Sequence, residues 1–202
     1  MGEKIPEELK VKDGVPGISG RQINEHYDVL YKGYCKKINE ITSKLSTCDT
    51  EGANATYHPF RELKREEVFT TNATRLHEGY FDSLGGDGEI TGTIRGWVDD
   101  DFGSFESWDK EFTALGMSAR GWVVLAYDFT DGRLHNYLSD IHSDGVWSAV
   151  PLLILDVYEH AYFTDYGTGR KSYIEAFLKN IDWAEVNQKI DRYGLQKVRE
   201  VA

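Results

Sequence analysis

The sequence has only two cysteines, Cys35 and Cys48, two methionines and four prolines among 202 residues. Two thiols cannot build a disulfide framework, and without a Cys-x-x-Cys pair there is no thiolate zinc site. Both fall on or just past a predicted helix and fit free thiols in a reducing compartment. Positive charge is also scarce: the formal net charge is −11. That balance excludes nucleic acid and anionic membrane as main partners, because both need a basic surface. A small anion stays possible, since a local cluster of Arg and Lys reverses the potential within about one Debye length, about 8 Å. No apolar run approaches membrane-spanning length. Residues 1–14 lack the apolar segment of a secretory signal, so the expected location is cytoplasmic, where the glycosylation sequons at Asn54 and Asn72 carry no meaning. Also missing are the Gly-x4-Gly-Lys phosphate loop, a Gly-x-Gly-x-x-Gly after a strand and a Gly-x-Ser-x-Gly elbow. His77-Glu78 falls short of a His-Glu-x-x-His helix because Phe81 stands where the second histidine would be.

What is present describes a globular chain. Hydrophobic residues make up 40% and charged residues 28%, too apolar for disorder, and the length suits one large domain or two small ones. Residues 1–18 show no periodicity and predict an extended arm. Ser19 with Gln22 three residues on reads as a capping box, opening a helix whose apolar stripe runs from Ile23 through Tyr27, Leu30, Tyr31, Tyr34, Ile38 and Ile41 to Leu45. After a polar loop, Pro59 starts a second long helix that ends at Gly85-Gly86, and the two should pack as an antiparallel hairpin. Residues 85–103, rich in glycine and acid, predict a connection between domains. A third helix follows from Ser104. The period then changes: residues 121–127 and 133–138 read as strands joined by the Asp131-Gly132 turn, and the apolar run ending at Asp156 is a third. Two more helices, over 171–180 and from the Asp182/Glu185 cap to Tyr193-Gly194, close the chain. The expected fold is α+β, with residues 1–86 as an N-terminal arm and long antiparallel helical hairpin, and residues 87–202 as a C-terminal domain of a three-stranded antiparallel sheet with helices.

Chemistry concentrates where Asp156 and His160 emerge from Val150-Pro151-Leu152-Leu153-Ile154-Leu155. Their spacing of four keeps both side chains on one face in a helix or a strand. A buried Asp–His hydrogen bond and a metal site both account for that placement. His26 lies on the inward side of the first helix and His77 in the apolar half of the second, and the hairpin can bring them together. A single core histidine such as His26 is more often a satisfied core residue than a ligand and needs corroboration elsewhere. Taken together, three imidazoles and one carboxylate suit iron or manganese and leave a coordination position open.

At these residues the chain resembles the iron/manganese superoxide dismutase family. Asp156-Val157-Tyr158-Glu159-His160-Ala161-Tyr162, then Asp165-Tyr166, Arg170, Tyr173, Ala176, Asn180 and Trp183, is similar to that family's C-terminal signature. The similarity includes Asp101-Phe102-Gly103-Ser104-Phe105, Gly121-Trp122 and Pro151-Leu152-Leu153, and reaches back to His26, Tyr27, Tyr34 and Asn39. His77, ahead of Tyr80, Phe81 and Leu84, takes the second-helix ligand position. The resemblance implies one Fe or Mn ion per subunit held between two domains by His26, His77, Asp156 and His160. It further implies conversion of the superoxide anion to dioxygen and hydrogen peroxide, with Tyr34 and His142 in the proton network. Trp122, Tyr162 and Glu159 would flank the ligands and the subunit contact, Glu159 bridging to His160 of a neighbour in a homodimer or homotetramer. Arg170, with Lys32, would steer the anion.

Several positions depart from the family pattern. Leu30-Tyr31 stands where a His-His pair is usual and Phe163 where a second tyrosine is. The missing pair normally bond across the dimer interface, so losing both leaves no orphan. Arg120 and Tyr158 replace two tryptophans, implying a more polar pocket wall, and His142 takes the place of a glutamine beside the metal-bound solvent. Two other readings stay open: a metal-binding relative with weak or no activity, which Leu30, Phe163 and Arg120 motivate, and a mononuclear iron oxygenase or hydrolase using two histidines and a carboxylate.

Overall fold

In the computed structural model, which describes residues 2–200, the first helix starts where Ser19 predicts it. The Ser19 hydroxyl accepts the Gln22 N–H at 3.1 Å, meeting one orphan donor of the helix start. The return bond of the capping box does not form. Ser19 donates its own N–H to Asp165 at 2.6 Å, and the Gln22 amide turns inward to the C-terminal half. Helix α1 (Gly20–Glu25) continues through a π-helical stretch, His26–Tyr31, into α2 (Lys32–Leu45). The arm before it is more structured than expected. Strands β1 (Gly14–Val15) and β2 (Ile18–Ser19) form a small hairpin, made possible by Gly14 and Gly17 at φ of 86° and 88°. Further back, the Lys4 backbone pairs both ways with the Asn39 amide, at 2.7 and 2.9 Å.

Helix α3 (Pro59–Asp82) starts with proline at its first position, as the sequence predicts, and His58 is its cap. Its aromatic contacts define the hairpin's direction. His26 and Tyr27 meet Phe81, whereas Tyr34 meets His77 and Phe69, so early residues of one helix face late residues of the other. The helices are therefore antiparallel. α3 also lies on the sheet, and close contact needs Gly79 there: a Cβ would come within 2.3 Å of the Ile154 side chain.

Residues 85–103 are not simply a connection. They contain α4 (Thr93–Phe102), whose Ile94, Trp97 and Val98 are buried at helical spacing. Gly96 and three consecutive aspartates, poor helix formers, hide that stripe in the sequence. Asp101 then does more than solvate a turn. Its carboxylate takes two bonds from Arg199, at 2.6 and 2.9 Å, and the Leu134 N–H at 2.8 Å. Asp101→Ala would remove two of the guanidinium's bonds, leaving it the Gly132 carbonyl, and would leave the Leu134 amide unpaired at a site where the Asp101 side chain is 3% exposed. The expected cost is about 2–3 kcal/mol, with the midpoint in thermal unfolding lower by roughly 4–12 °C.

Helix α5 (Phe105–Ser118) follows its Ser104 cap. Strands β3 (Trp122–Asp128), β4 (Arg133–Ser139) and β5 (Ala149–Asp156) form an antiparallel sheet in the order β4-β3-β5. The central strand is buried at every residue, as its unbroken apolar run requires. Pro151 is tolerated because β5 is an edge strand with a register shift beside it, at Leu125/Ala126. The register sets Asp156 opposite Trp122 at one end of the sheet. Helices α6 (Phe163–Tyr166), α7 (Arg170–Leu178) and α8 (Trp183–Arg192) complete the fold, with Asp182 capping α8 through the Glu185 N–H. A short α9 (Leu195–Arg199) follows Gly194; it is absent from the sequence reading and is anchored by the fully buried Leu195. Among the described residues no helix is long and apolar enough to cross a membrane. The architecture is α+β, as expected.

Candidate metal centre

Four elements converge on one point. His26 opens the π-helical stretch, His77 sits in the last third of α3, Asp156 ends β5, and His160 lies in a three-residue 3-10 turn, Glu159–Ala161. One ligand atom from each lies within 4.8 Å of all the others. Asp156 Oδ2 is the hub, with Nε2 of His160, His26 and His77 at 3.1, 3.2 and 3.8 Å. The first three residues are buried, and the His160 side chain is 29% exposed. The sequence therefore singles out four residues that the fold does bring together.

The unsatisfied atoms test whether a cation fits. His77 Nδ1 is 2.6 Å from the Ala73 carbonyl oxygen, which can only accept, so that nitrogen carries the hydrogen and Nε2 is bare. His77 Nε2 and both ring nitrogens of His26 are buried with no aligned hydrogen-bond partner. Buried polar atoms of this kind are rare and costly unless something else engages them. Burial lowers the pKa of His26 and takes that of His77 down to about 3, so both rings are neutral near pH 7. Burial alone would raise Asp156, but the His160 and His26 imidazoles override it and hold the carboxyl below the usual carboxylate range. The Tyr158 N–H donates to Asp156 Oδ1 at 2.9 Å and the Tyr173 hydroxyl to its backbone oxygen at 2.7 Å, fixing the carboxylate's direction. Neutral nitrogens around one anionic oxygen form a donor set for a borderline divalent or trivalent metal.

These shifts set a pH dependence for the metal-free protein. Unfolded histidine takes up a proton near pH 6.5, whereas folded His77 waits until about 3 and His142 until about 4. Between those limits the unfolded state binds more protons, so stability is full above about 6.5 and falls as the pH drops. Asp156 adds a loss in the same direction at still lower pH. Thermal midpoints of metal-free protein are expected to drop steadily from pH 7 to 4, and a flat profile would contradict this assignment.

Beside the cluster runs a second chain of contacts. The Trp122 indole N–H donates to His142 Nδ1 at 2.9 Å, and His142 Nε2 lies 3.0 Å from the Tyr34 hydroxyl. Burial brings the His142 pKa down to about 4, so the ring is neutral with one N–H. An indole can only donate, so Nδ1 is the acceptor and Nε2 carries the hydrogen. Tyr34 therefore accepts from His142, and its own hydroxyl hydrogen is free to point elsewhere. Burial and the Asp156 charge raise the Tyr34 pKa, so it keeps that proton at neutral pH. Phe69, with its ring 4.7 Å from that of His142, covers the pair.

Known proteins decide the kinship. Residues 90–189 match the family described as iron/manganese superoxide dismutases, C-terminal domain. The chain is similar to an iron superoxide dismutase of Cupriavidus metallidurans, 42% identical over 170 residues, covering 83% of this chain and 85% of that one. It is also 38% identical to an iron superoxide dismutase of Aquifex pyrophilus over 193 residues, covering 93% and 91%. The chain belongs to the iron/manganese superoxide dismutase family. A manganese superoxide dismutase of Halobacterium salinarum is 32% identical over 181 residues, 88% of each chain, so membership does not choose the metal.

The departures from the family pattern take definite places. Tyr158 does line the site, its ring stacked on His160 at 5.2 Å and its hydroxyl donating to the Asp140 carbonyl. Arg120 is exposed, and the bond it makes to Asp140 is through its backbone N–H, so the expectation that it makes the pocket wall polar is corrected. Tyr31 is buried, accepting the Glu7 N–H and donating to Glu78, while Leu30 is half-buried and Phe163 exposed. Arg170 donates to the Ala119 carbonyl at 2.7 Å and the Tyr162 hydroxyl at 3.2 Å, and Lys32 pairs with Asp28 at 2.6 Å. Tyr162 is buried against Tyr173, and Glu159 is exposed on the 3-10 turn. Sequence reasoning misses one buried polar residue, Gln22, which contacts the ligand segment. Its signal was its place four residues before His26, on the same helix face.

Proposed function

We propose that the chain is a superoxide dismutase whose His26, His77, Asp156 and His160 hold one iron or manganese ion. The supporting observation is the buried convergence of partnerless imidazole nitrogens on one carboxylate, in a chain of this family. The ion supplies a one-electron couple, able to take an electron from one superoxide and give it to a second. Two superoxide ions and two protons then yield dioxygen and hydrogen peroxide. Tyr34 serves the proton side: its hydroxyl hydrogen, not used in the bond from His142, is available to the reacting anion, and His142, held by Trp122, fixes the hydroxyl's orientation. The crowding of Tyr34, Phe69, Trp122 and Tyr158 around the histidines favours a diatomic substrate. This weighs against an oxygenase or hydrolase acting on an organic substrate.

The subunit contact belongs to the same reading. A partly exposed ligand with exposed Glu159 and Phe163 close to it in the chain calls for a cover, and a second copy placing its Glu159 on His160 would supply one. The division into residues 1–86 and 87–202, the homodimer or homotetramer, and the cytoplasmic location are parts of this proposal. Elemental analysis of purified protein tests the metal directly. Near-stoichiometric iron or manganese is expected, and protein without either metal, even after supplementation, would rule the reading out. In sedimentation, Glu159→Ala is expected to shift the protein toward a lighter species, whereas an unchanged mass distribution would remove Glu159 from the contact.

A further inference from the structure

His160 is the least secured of the four proposed ligands. His26 and His77 stand on long helices and Asp156 on a fully buried strand end, but His160 occupies a three-residue turn and is partly exposed. A residue distant in sequence holds that turn. Gln22, 1% exposed, donates from Nε2 to the His160 carbonyl oxygen at 2.6 Å, and its Oε1 accepts the Thr164 N–H at 3.0 Å. The two bonds fix the amide's orientation, because a carbonyl can only accept and an N–H can only donate. They also close a bracket around residues 160–164, with one bond on the ligand's own backbone. Gln22 stands one helical turn before His26, so one helix face presents a ligand and the clamp for another. A neighbouring contact gives an internal comparison. Ser19 binds Asp165 through its N–H and hydroxyl, at 2.6 and 2.7 Å, tying the same helix start to the same segment without touching His160.

Resting on the metal-centre reading above, we propose that Gln22 is a positioning residue for His160, coupling the docking of the first helix to the placement of the fourth ligand. Backbone partners of this kind set a ligating ring's direction, and losing one is expected to weaken metal binding by about 10–100-fold. Glutamine suits the task because one group must donate and accept at once. Leucine fills similar volume with neither capacity, while glutamate retains the acceptor for Thr164 but sets a carboxylate oxygen against the His160 carbonyl.

The test is chelator-driven release of iron or manganese from loaded protein well below its melting temperature, with the visible spectrum of the loaded form and the thermal midpoint of the metal-free form. Gln22→Leu and Gln22→Glu are each expected to release metal at least about tenfold faster, with a shifted metal absorption band. Asp165→Ala is expected to lower the metal-free midpoint while keeping the wild-type release rate and spectrum. If Gln22→Leu fails to fold, Gln22→Glu, still polar, carries the comparison. Wild-type release and an unshifted spectrum in the Gln22 variants would overturn the proposal, as would equal acceleration in Asp165→Ala, which would make the contact a general staple. Wild-type protein that retains neither metal would instead overturn the metal-centre reading itself.

Discussion

Replacing Asp156 with alanine is expected to leave a folded protein that holds neither iron nor manganese and has lost more than about 100-fold of its superoxide-consuming activity. Groups that merely support a ligand are worth about 10–100-fold, and Asp156 supplies the only negative charge among the four proposed ligands. Its Oδ2 is also the point on which the three imidazoles converge. Without it, three imidazole rings alone lack the charge needed to offset a metal cation's desolvation. The strand itself should survive, because Leu152, Leu153 and Leu155 stay in the core and Tyr173 bonds the backbone oxygen rather than the carboxylate. Asp156→Asn separates charge from shape: it keeps an acceptor for the Tyr158 N–H and should still fail to retain metal. Metal content after gel filtration, with circular dichroism to confirm folding, checks both variants, and stoichiometric metal in Asp156→Ala would contradict the assignment.

The next largest effect is expected at His142. His142→Leu should lower turnover by about 10–100-fold while leaving metal content near wild type, because this ring touches Tyr34 and not the cluster's hub. It should also cost about 1–3 kcal/mol in stability by leaving the buried Trp122 N–H without an acceptor. His142→Gln can restore both bonds, its carbonyl accepting from Trp122 and its amide donating to Tyr34. Activity is therefore expected to order as wild type, then His142→Gln, then His142→Leu, measured as superoxide decay per bound metal. Equal activity in all three would remove the His142–Tyr34 pair from the proton path.

Features written in local chemistry were legible in the sequence. The Ser19, Ser104 and Asp182 caps start helices where expected, and Asp131-Gly132 turns between strands as its composition requires. His26, His77 and Asp156 could be named because each sits on the inward side of a strongly patterned element, and His160 because it follows Asp156 at a spacing of four. What stayed hidden depends on contacts between distant segments. Gln22 fits a capping box locally, and only the folded chain shows a stronger demand from the His160 carbonyl. Helix α4 was obscured by glycine and aspartate, although its Ile94-Trp97-Val98 stripe is plain once buried. Arg120 read as pocket wall because sequence position conveys proximity but not direction, and the residue is exposed.

The account rests on metal-dependent consumption of superoxide, and the most direct measurement is the decay of a superoxide pulse in the presence of protein reconstituted separately with iron and with manganese. Acceleration proportional to bound metal is expected with at least one of the two, with none from metal-free protein or from Asp156→Ala. Stoichiometrically loaded protein that leaves the decay unchanged with both metals would contradict the account and favour a metal-binding relative without this activity.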